Sequence, residues 1–419
     1  MKDKRILSKL AFAAAAACVT ATGAIAHGNN NNNNNKSNLG PYIVGEQGVF
    51  YAGGTYDVTP PAGAPTTMSN QMYVFYQIPA SPNNRAWSWK RTGRLPIIMI
   101  HGSQQTGANF LGTPDGRPGW ASYYVQHGWP VYVIDQPGRG KSGYFPNAYG
   151  PQAANPNPVT VQQRFTAPEL TNPLEWPQAA RHTQWPGGPG SGVPGEYAFD
   201  QFFASQVANM PDGNQALALT TAAVTALIKK IGPSVIITHS MTGPESWFIP
   251  QANPGKVKAI LAVEPTGNSS LNGDTTPGTS CGLSNVCLNF DPPISSAADL
   301  GLTKTPPPAG GVQGQPAADL KSCWLQSGKT IHQPTNLVGT PILIQTGEAS
   351  YHSTYDYCTS AFLDQANVPN TYVYLPTVHI RGNGHMQMLE MNNLQIAAFD
   401  EKWLSKALHV RDRDVAWGR

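Results

Sequence analysis

Apolar positions along the chain fall into short continuous runs separated by stretches with helical spacing. Met72 to Ile78 is an aromatic and β-branched run that predicts a strand. Leu95 to Ile100, Trp129 to Ile134, Val235 to Ile237, Val257 to Val263, Pro341 to Gln345 and Thr371 to Leu375 predict six more. Unbroken apolar runs, rather than alternation, indicate strands buried on both faces, as in a parallel sheet. Between them, Leu217, Thr220, Val224, Leu227, Ile228 and Ile231 follow helical spacing, and Gly232-Pro233 stops that helix. Ile396, Phe399 and Trp403 mark another amphipathic helix near the end. Alternating strands and helices predict an α/β fold with a mainly parallel central sheet flanked by helices.

Two regions break the alternation. Residues 146–210 are rich in Pro, Gly, Asn and aromatic side chains (Phe165, Trp176, Trp185, Tyr197, Phe199, Phe202, Phe203), which predicts a folded cap insert. Residues 268–338 form a second insert, rich in Gly and Pro, that carries Cys281, Cys287 and Cys323.

The N-terminus departs from both patterns. Met1-Lys2-Asp3-Lys4-Arg5, an apolar stretch and Ala24-Ile25-Ala26 read as a signal peptide over residues 1–26, cleaved near Ala26. Cys18 lacks the upstream leucine of a lipoprotein anchor. Residues 27–38, with asparagine from Asn29 to Asn35, read as a disordered tether, and its single His27 is too little for a metal site. The protein is thus expected to be secreted or periplasmic, with no later membrane span. The 27 basic and 24 acidic side chains of the whole chain become 23 of each once residues 1–26 are removed. A near-neutral chain argues against nucleic acid as a partner. Cys281, Cys287, Cys323 and Cys358 remain, an even count that favours two disulfides in an exported protein. The expected pairing is Cys281–Cys287 and Cys323–Cys358; a zinc site is the rival, without paired C-x-x-C spacing.

Candidate chemistry sits where predicted strands end. Val235 to Ile237 leads into Thr238-His239-Ser240-Met241-Thr242-Gly243. A serine between small residues after a buried strand suits a nucleophile on a tight turn, although threonines stand at the two glycine positions of the usual G-x-S-x-G. His101-Gly102-Ser103-Gln104 follows an earlier strand, where backbone amides of Ser103 or Gln104 would join that of Met241 in holding an oxyanion. Asp135-Gln136-Pro137-Gly138-Arg139-Gly140-Lys141-Ser142 lacks phosphate-loop spacing and reads as a structural turn. Two histidines could serve as base: His385, after Gly382-Asn383-Gly384, and His379. Two glutamates could serve as acid: Glu264, after Val257 to Val263, and Glu348, after the next core strand.

From Tyr51 onward the chain resembles the esterase 713 group of secreted bacterial α/β-hydrolases. The resemblance rests on Met72-Tyr73-Val74 with Tyr76-Gln77-Ile78-Pro79, His101-Gly102 with Thr106-Gly107, and Thr113-Pro114-Asp115-Gly116-Arg117 with Gly119-Trp120. It continues through Tyr132-Val133-Ile134-Asp135-Gln136, Gly138-Arg139-Gly140, His239-Ser240, Val263-Glu264-Pro265, Gly382-Asn383 with His385-Met386, and Asn392-Asn393-Leu394-Gln395. It implies an α/β-hydrolase domain over residues 39–419 and a Ser-Glu-His triad of Ser240, Glu264 and His385, with the acid one strand after the nucleophile. The group carries two adjacent cysteines after His-Gly where this chain has Ser103 and Gln104. The implied chemistry is hydrolysis of small-molecule carboxylic esters through an acyl-enzyme, without cofactor or metal; the sequence leaves the oligomeric state open, a dimer included. A lactonase or amidase on the same triad, or a secreted binding protein that keeps the fold without turnover, are the rival readings.

Overall fold

A computed structural model describes residues 39, 42–57, 67–80, 88, 92–269 and 276–410. The expected leader with Cys18 and the asparagine-rich tether lie outside the described residues. Eight strands form one sheet: β1 (Val44–Asp57), β2 (Thr67–Pro79), β3 (Ile97–Ile100), β4 (Val131–Asp135), β5 (Ser234–His239), β6 (Val257–Val263), β7 (Ile342–Thr346) and β8 (Thr371–Tyr374). Their spatial order is β1-β2-β4-β3-β5-β6-β7-β8. β2 runs antiparallel to both neighbours, and every other pairing from β4 to β8 is parallel. The architecture is an α/β-hydrolase fold.

Two of the expected strands begin later than their apolar runs do. Pro96 and Pro130 cannot donate to a ladder, so β3 and β4 open just after them. Each proline instead offers its carbonyl: Pro130 accepts from Ile97, Pro96 from Val235, and Pro341, at the same place before β7, from Ile260. The pattern of apolar runs misses β1. This edge strand pairs only with β2, is interrupted by Gly45, Gly48, Gly53 and Gly54, and leaves Val49 and Tyr51 exposed.

Side chains alternate across the sheet into two cores. On one face Ile97, Met99, Val235, Ile237 and Leu261 pack with Trp120, Tyr124, Leu394 and Ile396; on the other Ile98, Ile100, Ile236 and Ile260 pack with Val224, Leu227, Trp247 and Phe362. Full burial of each large aliphatic side chain is worth about 1.5–3 kcal/mol. The flanking helices are α1 (Trp120–Gln126), α2 (Tyr197–Ala204), α3 (Gly213–Ile231), α4 (Glu245–Ala252), α5 (Tyr357–Gln365) and α6 (Asn393–Ala407). Helix α3 starts where the Asp212 side chain accepts from the amides of Asn214 and Gln215, carries Lys229 and Lys230 in its last turn, and stops at Gly232.

Residues 146–210 fold into short turns and α2, with Trp176, Trp185, Phe199 and Phe202 buried. In residues 276–338 two small antiparallel ribbons pair Phe290–Asp291 with Gln333–Pro334 and Leu302–Thr305 with Cys323–Gln326. Disulfides join Cys281 to Cys287 and Cys323 to Cys358, the expected pairing; the second fastens the ribbon to α5.

Candidate active site

The turn that carries the candidate nucleophile, Ser240, follows β5 directly. Ser240 has φ of 58°, in the left-handed region, at the start of a 3-10 turn over Ser240–Thr242. A non-glycine residue held there stores strain that the surroundings must offset. The two threonines at the glycine positions do so with their hydroxyls. Thr242 accepts from the His239 amide and donates to the His239 carbonyl, and Thr238 hydrogen-bonds Ser246 at 2.6 Å. The glycine that the turn does require is Gly243. A Cβ there would lie 2.6 Å from the Thr266 carbonyl oxygen, so only glycine lets the turn approach the loop after β6, where the Thr266 amide donates to the Ser240 carbonyl.

That loop carries Glu264, also at positive φ (48°) and fully buried. The structure brings Ser240, His385 and Glu264 into one line. Ser240 Oγ lies 2.9 Å from His385 Nε2, and His385 Nδ1 donates to Glu264 Oε2. The carboxylate also accepts from the Ser350 hydroxyl at Oε2, and from the Gly347 amide and Gln387 Nε2 at Oε1, each at 2.8 Å. Burial pushes the Glu264 carboxyl well up from its ordinary range and nearby Asp356 adds to this, whereas those three donors favour the ionised form. Burial, with His239, His352 and Arg164 nearby, holds the His385 imidazole well below its ordinary value. The resting histidine is therefore neutral, as a general base must be.

The rival candidates stand elsewhere. Glu348 Oε2 accepts from the Gly382 amide at 2.8 Å, and its Oε1 pairs with Arg381 at 3.4 Å. His379 is exposed at the end of a 3-10 turn. On the oxyanion side, Gly102 lies against Ser240, so the loop after β3 is correctly disposed. One expectation is corrected: the Gln104 amide donates to Asn209 Oδ1 at 2.7 Å and is thereby turned from the site. The Asn209 Nδ2 donates to Ser103 Oγ at 2.8 Å, so one side chain from the 146–210 segment braces the whole loop. Ser103 lies on the loop after β3, and Met241 follows Ser240 in its turn.

The sequence reading missed the loop after β7, which supplies much of the site. Tyr351 places its hydroxyl 3.5 Å from His385 Nε2 and packs its ring, tilted, 4.8 Å from the imidazole. His352 stacks on His385 at 4.8 Å and is itself held by Asp356, 2.7 Å from its Nδ1; Thr346 donates to the other Asp356 oxygen. The signal was present: Ser350-Tyr351-His352-Ser353-Thr354-Tyr355-Asp356 is a polar-aromatic run at the C-terminal end of a core strand, where open α/β sheets bind ligands. Glu264, His352 and His385 are also the described residues whose possible metal-ligating atoms gather, within 4.8 Å. Glu264 and His385 bond each other and His352 bonds Asp356, so the donor set is committed to internal hydrogen bonds and does not fit a resident metal.

Residues 146–210 close the site from above. Phe165 stacks on His385 at 5.1 Å, Trp176 Nε1 donates to the Ala349 carbonyl, and Ser240 is only 5% exposed. Buried His182 lies between Glu169 and Glu390, at 2.8 and 3.1 Å. Burial opposes its charged form, but the two carboxylates outweigh this and push it up to about 9. Glu390 in turn accepts from the Gly384 amide and Asn383 Nδ2, immediately before His385.

No family model matches the chain. It is similar to a probable secreted lipase, phiG, of Fungal sp. (strain ATCC 74256), with 36% identity over 363 residues that cover 85% of this chain and 89% of that one. Among solved structures it is similar to a novel bacterial esterase, with a TM-score of 0.57 and 23% identity, covering 89% of this chain and 99% of the other.

Proposed function

The chain belongs to the α/β-hydrolase family that includes this probable secreted lipase, and from that premise we propose that it is a secreted serine esterase acting on small carboxylic esters through an acyl-enzyme. The observation that carries the reading is the single hydrogen-bonded line Ser240–His385–Glu264, with its imidazole held neutral by burial.

In this mechanism His385 Nε2 takes the Ser240 proton as Oγ attacks the ester carbonyl. The Met241 and Ser103 amides hold the oxyanion. Glu264 fixes the imidazole tautomer and stabilises the imidazolium. The C–O bond to the alcohol breaks, its electron pair stays on the alcohol oxygen, and the proton on Nε2 passes to that oxygen. Water then attacks the acyl-enzyme, with His385 again as base, and releases the acid. Two disulfides fit an oxidising compartment, which supports export.

A fluorophosphonate probe tests the reading. Intact protein is expected to gain one adduct, located at Ser240, and to hydrolyse p-nitrophenyl butyrate; Ser240→Ala is expected to do neither. A folded protein that takes no label and turns over no ester would overturn the proposal.

A further inference from the structure

Tyr351 occupies a defined side of the nucleophile. Its hydroxyl lies 3.5 Å from His385 Nε2, the nitrogen that is itself 2.9 Å from Ser240 Oγ. Nε2 faces Ser240 Oγ at 2.9 Å, so the Tyr351 hydroxyl stands beside the nitrogen that takes and returns the proton. Ser103 lies on the other side: it follows β3, whereas Tyr351 follows β7, and β3 and β7 stand on opposite sides of β5 in the sheet. The hydroxyl therefore stands beside the imidazole, across from the Ser103 loop. In an acyl transfer, the oxygen that receives the Nε2 proton is the departing alcohol oxygen, and it must sit on this side.

The ring is held for that task. Trp176 meets it edge-on at 6.0 Å, and His352 and Phe165 lie at 4.5 and 6.4 Å. The Arg164 guanidinium sits over its face at 5.8 Å. A cation on the ring face draws charge from the phenol and makes its O–H a stronger donor. Burial simultaneously pushes the phenol above its ordinary value, so the proton stays on Tyr351 at neutral pH.

Resting on the esterase reading above, we infer that Tyr351 is a further catalytic residue, whose hydroxyl hydrogen-bonds the leaving alcohol oxygen as it departs and the attacking water as it enters. It donates a hydrogen bond and keeps its proton. The proton that completes the alcohol comes from His385 Nε2, and in deacylation the water proton returns to the same nitrogen. The bond is worth most when the departing oxygen is strongly basic. An alkoxide needs the donor; a p-nitrophenolate hardly does.

The test is kcat/KM, which reports acylation, for a series of butyrate esters from p-nitrophenyl through phenyl to ethyl, in wild type and Tyr351→Phe. The variant keeps the ring and its packing. Ethyl butyrate is expected to lose about 100-fold, the scale of one positioned proton donor, and p-nitrophenyl butyrate less than about 3-fold. The plot of log kcat/KM against leaving-group pKa thus steepens, and Arg164→Gln is expected to steepen it less, in the same direction. Parallel plots for wild type and Tyr351→Phe, displaced or superimposed, would overturn the role of the tyrosine alone, because a packing role has no reason to track leaving-group basicity. Wild-type protein inactive on every ester would instead overturn the esterase reading, and this inference with it.

Discussion

The Gly347 amide donates to Glu264 Oε1 across 2.8 Å, joining the loop after β7 to the loop after β6. Ser350, three residues further on, donates to the other carboxylate oxygen. The loop that carries the rival candidate, Glu348, thus cradles the carboxylate proposed as the acid, one strand away. Glu348 turns outward to the Gly382 amide and Arg381. Glu264→Gln is therefore expected to reduce kcat on the order of 10⁴-fold, the scale set by removing a triad carboxylate. Glu348→Gln is expected to cost less than about 10-fold, since it touches the histidine loop only from outside. Parallel kinetics of the two folded variants check this, and a larger loss in Glu348→Gln would reverse the assignment of the acid.

The same cradle makes Gly347 intolerant of a side chain. A Cβ there would lie 2.6 Å from the Gly384 carbonyl oxygen, 2.7 Å from that of Asn383, and 3.1 Å from Glu264 Oε1. The two carbonyls are backbone and cannot swing aside, and Glu264 Oε1 is tied by the Gly347 amide and Gln387. Gly347→Ala is expected to push the His385 loop and the carboxylate apart. A displacement of about 1 Å in such a constellation costs on the order of 100-fold in rate. The variant should still bind the fluorophosphonate, but more slowly; labelling at the wild-type rate would show that the loop absorbs the methyl group.

Burial of the histidine cluster sets the acid side of the pH profile. His385 is held well below its ordinary value, His239 down to about 3 and His101 to about 4, each chiefly by burial. A base with a lowered pKa remains unprotonated to lower pH, so kcat/KM is expected to stay level below pH 6.5, the ordinary histidine value. Stability behaves differently. The unfolded chain binds protons at these histidines below about 6.5 while the folded chain does not, so folding stability falls as pH falls through that range. Initial rates compared with circular dichroism over the same pH values separate the two. A rate that halves near pH 6.5 while the fold is intact would contradict the burial argument.

Much of this site was legible before the structure. Strands buried on both faces announced themselves as apolar runs, because a parallel sheet leaves no face for polar alternation. The residues at their ends were then few, and Ser240, Glu264 and His385 stood among them. β1 was illegible for the converse reason: an edge strand with exposed Val49 and Tyr51 carries no burial signal. The oxyanion loop was legible in place but not in detail. Whether Ser103 or Gln104 faces the nucleophile depends on Asn209, a residue more than a hundred positions away whose side chain captures the Gln104 amide. Tyr351, His352 and Asp356 went unread because each matters only through what it stacks on or bonds to. No local spacing records that the loop after one strand encloses the acid of its neighbour.

His182 offers the remaining test, since Glu169 holds it within the 146–210 segment and its bond to Glu390 joins that segment to the loop carrying His385. Its folded value, up to about 9, lies above the ordinary 6.5 of an unfolded histidine. The stabilisation it supplies is therefore fully present below about pH 6.5 and is lost as pH rises through about 9. Removing one partner of such a buried charge cluster costs about 3 kcal/mol. His182→Gln is expected to lower the melting temperature at pH 6 and to flatten the decline that wild type shows between pH 7 and 10. Because Glu390 also accepts from Gly384 beside His385, kcat should fall along with stability. Thermal unfolding of both proteins across that range measures the effect; parallel melting curves at every pH would mean that His182 is neutral in the fold and that the fastening is not ionic.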